Sequence, residues 1–118
     1  MLVNFSNHPS RYWDNKQREA SLCYGNIVDL SFPAVAPNSE KTQLQALAQD
    51  WVQKIVAMGD VRDLTVHIMG EMTFTFMVVT KLKKLGIKCI ASTTERKTTY
   101  NADGTKVSEF QFVKFREY

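Results

Sequence analysis

No apolar run in this sequence approaches the ~18 residues that cross a bilayer, so no membrane span is expected. The start, Met1-Leu2-Val3-Asn4-Phe5, turns polar at once, without a basic region or a long apolar stretch, and does not read as a signal peptide. Cysteine is scarce: Cys23 and Cys89 stand alone, with no CxxC spacing. That excludes a disulfide scaffold and a cysteine metal cluster, and a buried pair of free thiols in a reducing cytoplasm is the expectation. The two histidines, His8 and His67, sit on different elements with no His-x-x-x-His, so neither a metal nor a cofactor is expected. Neither sign of charge dominates, since 15 Lys and Arg against 12 Asp and Glu leave +3. A charge that small gives no reason to expect duplex nucleic acid as a partner. Also missing are Gly-x-Gly-x-x-Gly, a P-loop and the Gly-x-Ser-x-Gly of a nucleophile elbow.

What is present is an ordinary globular balance, 44% hydrophobic and 23% charged, over 118 residues. It implies one domain, 1–118, with no linker or repeat. The pattern alternates strand and helix. Leu2 to Ser6 is a short apolar strand. Ser10 to Tyr24 reads as a helix capped by Ser10 and closed by Gly25. Ile27 to Phe32 is a second strand, after which Pro33 and Pro37 break regular structure. Ser39 is placed to cap a second helix whose apolar face holds Leu44, Leu47, Ala48, Trp51, Val52, Ile55 and Val56, with Gly59 ending it. Leu64 to Met69 is the third strand, Thr73 to Leu85 the third helix, and Ile87 to Ser92 the fourth strand.

Beyond Ser92 the chain becomes β-prone on both sides of a turn at Asn101-Ala102-Asp103-Gly104, which predicts a hairpin from Thr93–Tyr100 and Lys106–Phe115. Phe110 and Phe112 fall on one face there, and Val113 and Phe115 on the other. Either a bulge or a strand covered on both faces accounts for that change of phase. The element order predicts an α/β, Rossmann-like three-layer αβα domain. Its five-stranded sheet is mostly parallel, in the order 2-1-3-4-5, with an antiparallel C-terminal edge hairpin. Such an order puts a topological switch between strands one and three, where ligands of open α/β sheets bind.

Three loops deliver polar groups to that edge. After strand one come Ser6, Asn7, His8, Pro9, Ser10 and Arg11, then Trp13. Backbone N–H groups at a helix start attract anions, Arg11 can grip a phosphate, His8 can pass a proton, and Trp13 can stack on a base. The same residues also serve as loop, cap and core chemistry. After strand three come Gly70, Glu71 and Thr73. Gly70 permits a tight turn or close approach of a ligand, and Glu71 is either a proton-transfer group or a complement to the helix dipole. After strand four come Thr93, Thr94 and Arg96, either ligand contacts or a charged edge that resists aggregation. His67 reads more readily as a hydrogen-bonded residue of the sheet than as a ligand-binding one. Asp29 and Ser31 bring polar groups of undecided facing.

The Asn-His-Pro-Ser loop with Trp13, Met-Gly-Glu before the third helix, and Thr-Thr-Glu-Arg after strand four resemble the small CRISPR-associated Rossmann-like proteins, which are related to cyclic-oligoadenylate sensors and ring nucleases. The resemblance implies a homodimer binding a nucleotide or cyclic oligonucleotide across its two-fold axis. It also implies metal-independent cleavage by a ribose 2′-hydroxyl, with His8, Arg11 and Glu71 as catalytic candidates. Ser6, Asn7, Ser10, Trp13, Gly70, Thr73, Thr93, Thr94 and Arg96 are the binding candidates. Pro9 stands where such a loop favours a glycine-containing turn, and no lysine matches a catalytic position. Two other readings remain: a non-catalytic nucleotide sensor or scavenger, and a protein-interaction module using the C-terminal hairpin.

Overall fold

The computed structural model describes all of residues 1–118. Five strands form one sheet in the order β2-β1-β3-β4-β5. They are β1 (Leu2–Ser6), β2 (Ile27–Ser31), β3 (Thr65–Met69), β4 (Lys88–Tyr100) and β5 (Lys106–Glu117). The first four run parallel, and β5 returns antiparallel to β4. The helices are α1 (Asn15–Ser21), α2 (Lys41–Val56) and α3 (Met72–Lys84).

Every residue of β1 is buried, because helices cover both faces of the central strand. Val3, Phe5, Val66, Ile68 and Cys89 point to the α2–α3 side, where they join Leu64, Phe74, Val78 and Leu82 in a core of 15 buried residues. Phe5 packs against Phe32 and Trp51, each at 5.1 Å between ring centroids. Removing a side chain of that size from water contributes about 3 kcal/mol, so this cluster supplies much of the driving force for folding. Leu2, Trp13 and Ile90 form a smaller cluster on the α1 side, flanked by Tyr24, Ile27 and Phe115.

The caps differ from those expected. The segment from Ser10 to Tyr24 is not one helix: a 3-10 turn over Ser10–Tyr12 precedes α1, and a second over Leu22–Tyr24 follows it. Asp14, not Ser10, caps α1, accepting from the Gln17 N–H at 2.8 Å. Ser10 is drawn away by Asp29, to which its hydroxyl donates at 2.8 Å. Glu40, rather than Ser39, caps α2, with Gln43 reaching back to accept from the Glu40 N–H at 2.8 Å. That helix ends at Val56, with Ala57 as its C-cap, before Gly59. Gly25 closes the Leu22–Tyr24 turn, and Gly86 follows the end of α3, at positive φ of 93° and 82°. Of the two cysteines only Cys89 is buried; Cys23 is exposed.

Strand four continues without a break from Lys88 to Tyr100, so β4 and β5 project beyond the sheet as a two-stranded arm. The change of phase is a bulge. Thr93 pairs with Lys114 but Thr94 pairs with Phe112, which leaves Val113 as the extra residue. The bulge turns Phe112 and Phe115 to the same side, with ring centroids 4.9 Å apart.

Candidate functional site

Polar side chains cross the sheet on its α1 side in a single row. In the strand register Asn4 lies beside Asp29 on β2 and beside His67 on β3, and His67 lies beside Ile90 on β4. Two residues beyond Ile90, on the same face, is Ser92. Because the side-chain period of a strand is two, all of these face the same way, and Ser6 joins them two residues after Asn4.

The row is hydrogen-bonded from end to end. Asn4 Nδ2 donates to Asp29 Oδ1 at 2.8 Å and to the His8 carbonyl at 2.9 Å. Asn4 Oδ1 accepts from the Ser6 hydroxyl at 2.8 Å and lies 2.8 Å from His67 Nδ1. His67 Nε2 is 2.7 Å from Ser92 Oγ, and Gln17 Nε2 donates to that same oxygen at 3.1 Å. The Trp13 indole N–H donates to the His8 carbonyl at 3.2 Å. Trp13 is thus a buried prop that holds the β1 loop and stands edge-on to His67; its burial removes it as a platform for a base.

Burial pushes the His67 imidazole down to about 4, and the charge of nearby His8 acts in the same sense. The ring is therefore neutral at neutral pH. Burial alone would raise the Asp29 carboxyl. Hydrogen bonds from Asn4 and from the Ser10 backbone and hydroxyl, with the Arg11 charge, outweigh it and hold the group below the usual range.

Above this row lies an open concavity of about 720 Å³ at the carboxyl ends of β1 and β3. Its lining includes Ser6, Asn7, His8, His67, Gly70 and Ser92, together with Tyr12, Thr94, Phe110 and Phe112. The His8 and Tyr12 rings stack at 6.4 Å, and the Arg11 guanidinium lies over the Tyr12 ring at 4.7 Å. A smaller groove of about 470 Å³ shares Met69 and Gly70 and runs along α3 past Met72 and Phe76.

Of the residues expected at the site, Ser6, Asn7, His8, Gly70 and Thr94 line the concavity. Arg11 does not line it; its guanidinium lies over the Tyr12 ring and donates to the Tyr12 hydroxyl at 3.2 Å. Glu71 does not line it. Its carboxylate caps α3, accepting from the N–H groups of Phe74 at 2.7 Å and Thr73 at 3.0 Å, and those bonds hold its carboxyl below the usual range. With its oxygens so engaged, Glu71 is an anchor of the helix rather than a base, and Thr73 is part of the same cap. Ser10 is bound to Asp29. Thr93 Oγ1 is held by Lys114 at the bulge. Arg96 lies on the arm, 5.9 Å from the Phe110 ring centre. Gly70 has no positive φ. It is a glycine because the Phe32 ring occupies the space a Cβ would take, so the reason is packing rather than a turn or a ligand.

The row Asp29–Asn4–His67–Ser92–Gln17 and the aromatic wall of Tyr12 and Phe110 were not singled out by the loop motifs. A signal existed. Asn4 and Ser6 alternate with Val3 and Phe5 in a strand short and apolar enough to be central, and a polar residue buried there demands partners. No curated protein and no solved structure matches the chain. The model of the Uncharacterized protein MJ1673 family matches residues 1–116, and the chain belongs to that family.

Proposed function

We propose that this protein binds a nucleotide or short oligonucleotide, cyclic oligoadenylate being the first candidate, in the concavity at the β1–β3 switch. The observation that carries the reading is the convergence there of His8, Asn7 and Thr94 with the exposed aromatic rings of Tyr12 and Phe110, in a space of about 720 Å³. That volume lies within the range of small-ligand sites. Tyr12 and Phe110, both exposed, offer stacking surfaces to a base. Arg11, whose guanidinium lies over the Tyr12 ring, supplies the positive charge for a phosphate.

The catalytic form of the proposal is ring cleavage by in-line attack of a ribose 2′-hydroxyl on its own phosphate. The 2′-oxygen bonds to phosphorus as the bond to the 5′-oxygen breaks. The attacking hydroxyl loses a proton, and the leaving oxygen gains one. The products are a 2′,3′-cyclic phosphate and a 5′-hydroxyl. His8 is the exposed imidazole beside that space and takes the proton-transfer role. Positioning supplies much of the rate in such a reaction. A homodimer, and a place in CRISPR-associated defence, extend the same proposal. The concavity is open on one side, and a second copy would complete the enclosure of a ring larger than one nucleotide.

The test is incubation of the pure protein with cyclic oligoadenylates, following linear products by chromatography. His8→Ala is expected to lose at least 100-fold in rate, on the order of a general acid–base contribution, while still binding. Tight binding without turnover in the unaltered protein selects a sensor or scavenger instead. A second reading rests on the arm, where Tyr100 and Phe110 are 72% and 71% exposed. If the protein is an interaction module, substituting those two residues abolishes assembly with its partner while changes at His8 do nothing.

A further inference from the structure

The hydrogen-bonded row has only one consistent direction. Asn4 Nδ2 faces the Asp29 carboxylate and the His8 carbonyl, both acceptors, so the amide nitrogen must lie there. Both its hydrogens are then used, and Asn4 Oδ1 faces His67 Nδ1 as an acceptor. An amide oxygen has no proton to give, so His67 carries its proton on Nδ1. The other ring nitrogen, Nε2, is bare in the neutral ring, and Ser92 must donate its single hydroxyl proton to it across 2.7 Å. Gln17 Nε2 takes one lone pair of Ser92 Oγ. What Ser92 has left is the other lone pair, and Ser92 lines the concavity.

We propose that Ser92 is a specificity-determining residue: it meets the ligand only as a hydrogen-bond acceptor, and through the ribose 2′-hydroxyl it selects a ribonucleotide over its deoxy counterpart. This rests on the nucleotide reading of the concavity and adds the sugar to it. Ser92 and His67 lie in the body of the sheet, bonded to one another, whereas Phe110, the exposed stacking surface, pairs with Arg96, four residues further along the arm than Ser92. A hydroxyl donor of the sugar therefore suits Ser92 better than an amine of the base. The Ser92–His67–Asn4 arrangement also has the order of a nucleophile, base and orienting amide. The environment argues against that use. Taking the serine proton would place a charge on a ring that is 2% exposed and that has an amide, not a carboxylate, beside it. The downward displacement of the His67 imidazole to about 4 agrees. His67 is accordingly a positioning residue that keeps Ser92 turned, with its free lone pair toward the ligand.

The experiment measures binding of a short linear oligoadenylate, its all-2′-deoxy form and its inosine form by titration calorimetry, to the unaltered protein and to Ser92→Ala. The unaltered protein is expected to favour the ribo form over the deoxy form by about 10-fold, the worth of one satisfied hydrogen bond, with little loss on replacing adenine by hypoxanthine. In Ser92→Ala that ratio falls to near one, whatever happens to absolute affinity. Nitrogen-15 spectra of the unaltered protein should show His67 protonated on Nδ1 and bare on Nε2. Binding of none of the three ligands overturns the nucleotide reading and this inference together. Equal binding of ribo and deoxy forms overturns this inference alone, as does a ribo preference that survives in Ser92→Ala. A proton found on His67 Nε2 reverses the direction of the row and also overturns it, and so does a loss confined to the inosine form, which would make the base amine the donor.

Discussion

Strands β1 and β3 present two unlike faces. Toward α2 and α3 they offer Val3, Phe5, Val66 and Ile68 to a core of 15 buried residues. Toward α1 they offer Asn4, Ser6 and His67, also buried but bonded to one another. The first face holds the fold together through area removed from water, which is non-directional and tolerates exchange among similar shapes. The second depends on direction: each donor must meet an acceptor, and a single missing partner leaves a buried polar group unpaired. The same backbone thus keeps a non-directional core on one side and an oriented polar row on the other.

That contrast can be broken by substitution. The largest expected effect is Phe5→Ala, which empties the space between Phe32, Trp51 and Phe74 and should cost about 3–5 kcal/mol of unfolding free energy in denaturant titrations. A loss below that of any polar-face variant would mean that the two faces are not divided in this way. Next comes the pH dependence of His67. Its folded value of about 4 lies below the unfolded value of 6.5. Between these the unfolded chain holds a proton that the folded chain refuses, so acid favours unfolding. The contribution is fully present above about pH 6.5 and is lost as pH falls toward 4, amounting to about 3 kcal/mol over that span. Stability measured against pH should therefore fall more steeply for the unaltered protein than for His67→Gln, and parallel curves would contradict the account. The smallest effect sharpens the comparison at its border. Glu71→Ala removes the α3 cap and should lower the melting temperature slightly, while nucleotide binding stays unchanged. A large drop in binding would return Glu71 to the site.

Much of the fold was legible because its signals are local or periodic. Leu2–Ser6 is bounded as expected, and the strand order follows from alternation of elements plus the handedness of crossovers. The loop after β1 was legible as polar chemistry at a switch point, and His8, Asn7 and Ser6 do line the concavity. The caps were less so. Ser10, Ser39 and Glu71 all have cap-compatible side chains, and which of them caps depends on competing partners such as Asp29. The bulge at Val113 was one of two readings of the same change of phase, and only strand pairing chose between them.

From the residues alone come the α/β class, the sheet order with its switch point, and the gathering of polar loops along one edge, since hydrophobic period and turn chemistry are written in neighbouring positions. Only the tertiary structure decided that Trp13 is a prop, that Glu71 is a cap, that Gly70 makes room for Phe32, and that Asn4, His67 and Ser92 form one oriented row. Those partners are 25 to 63 positions apart in the chain, and hydrogen-bond direction exists only once strand register has brought them side by side.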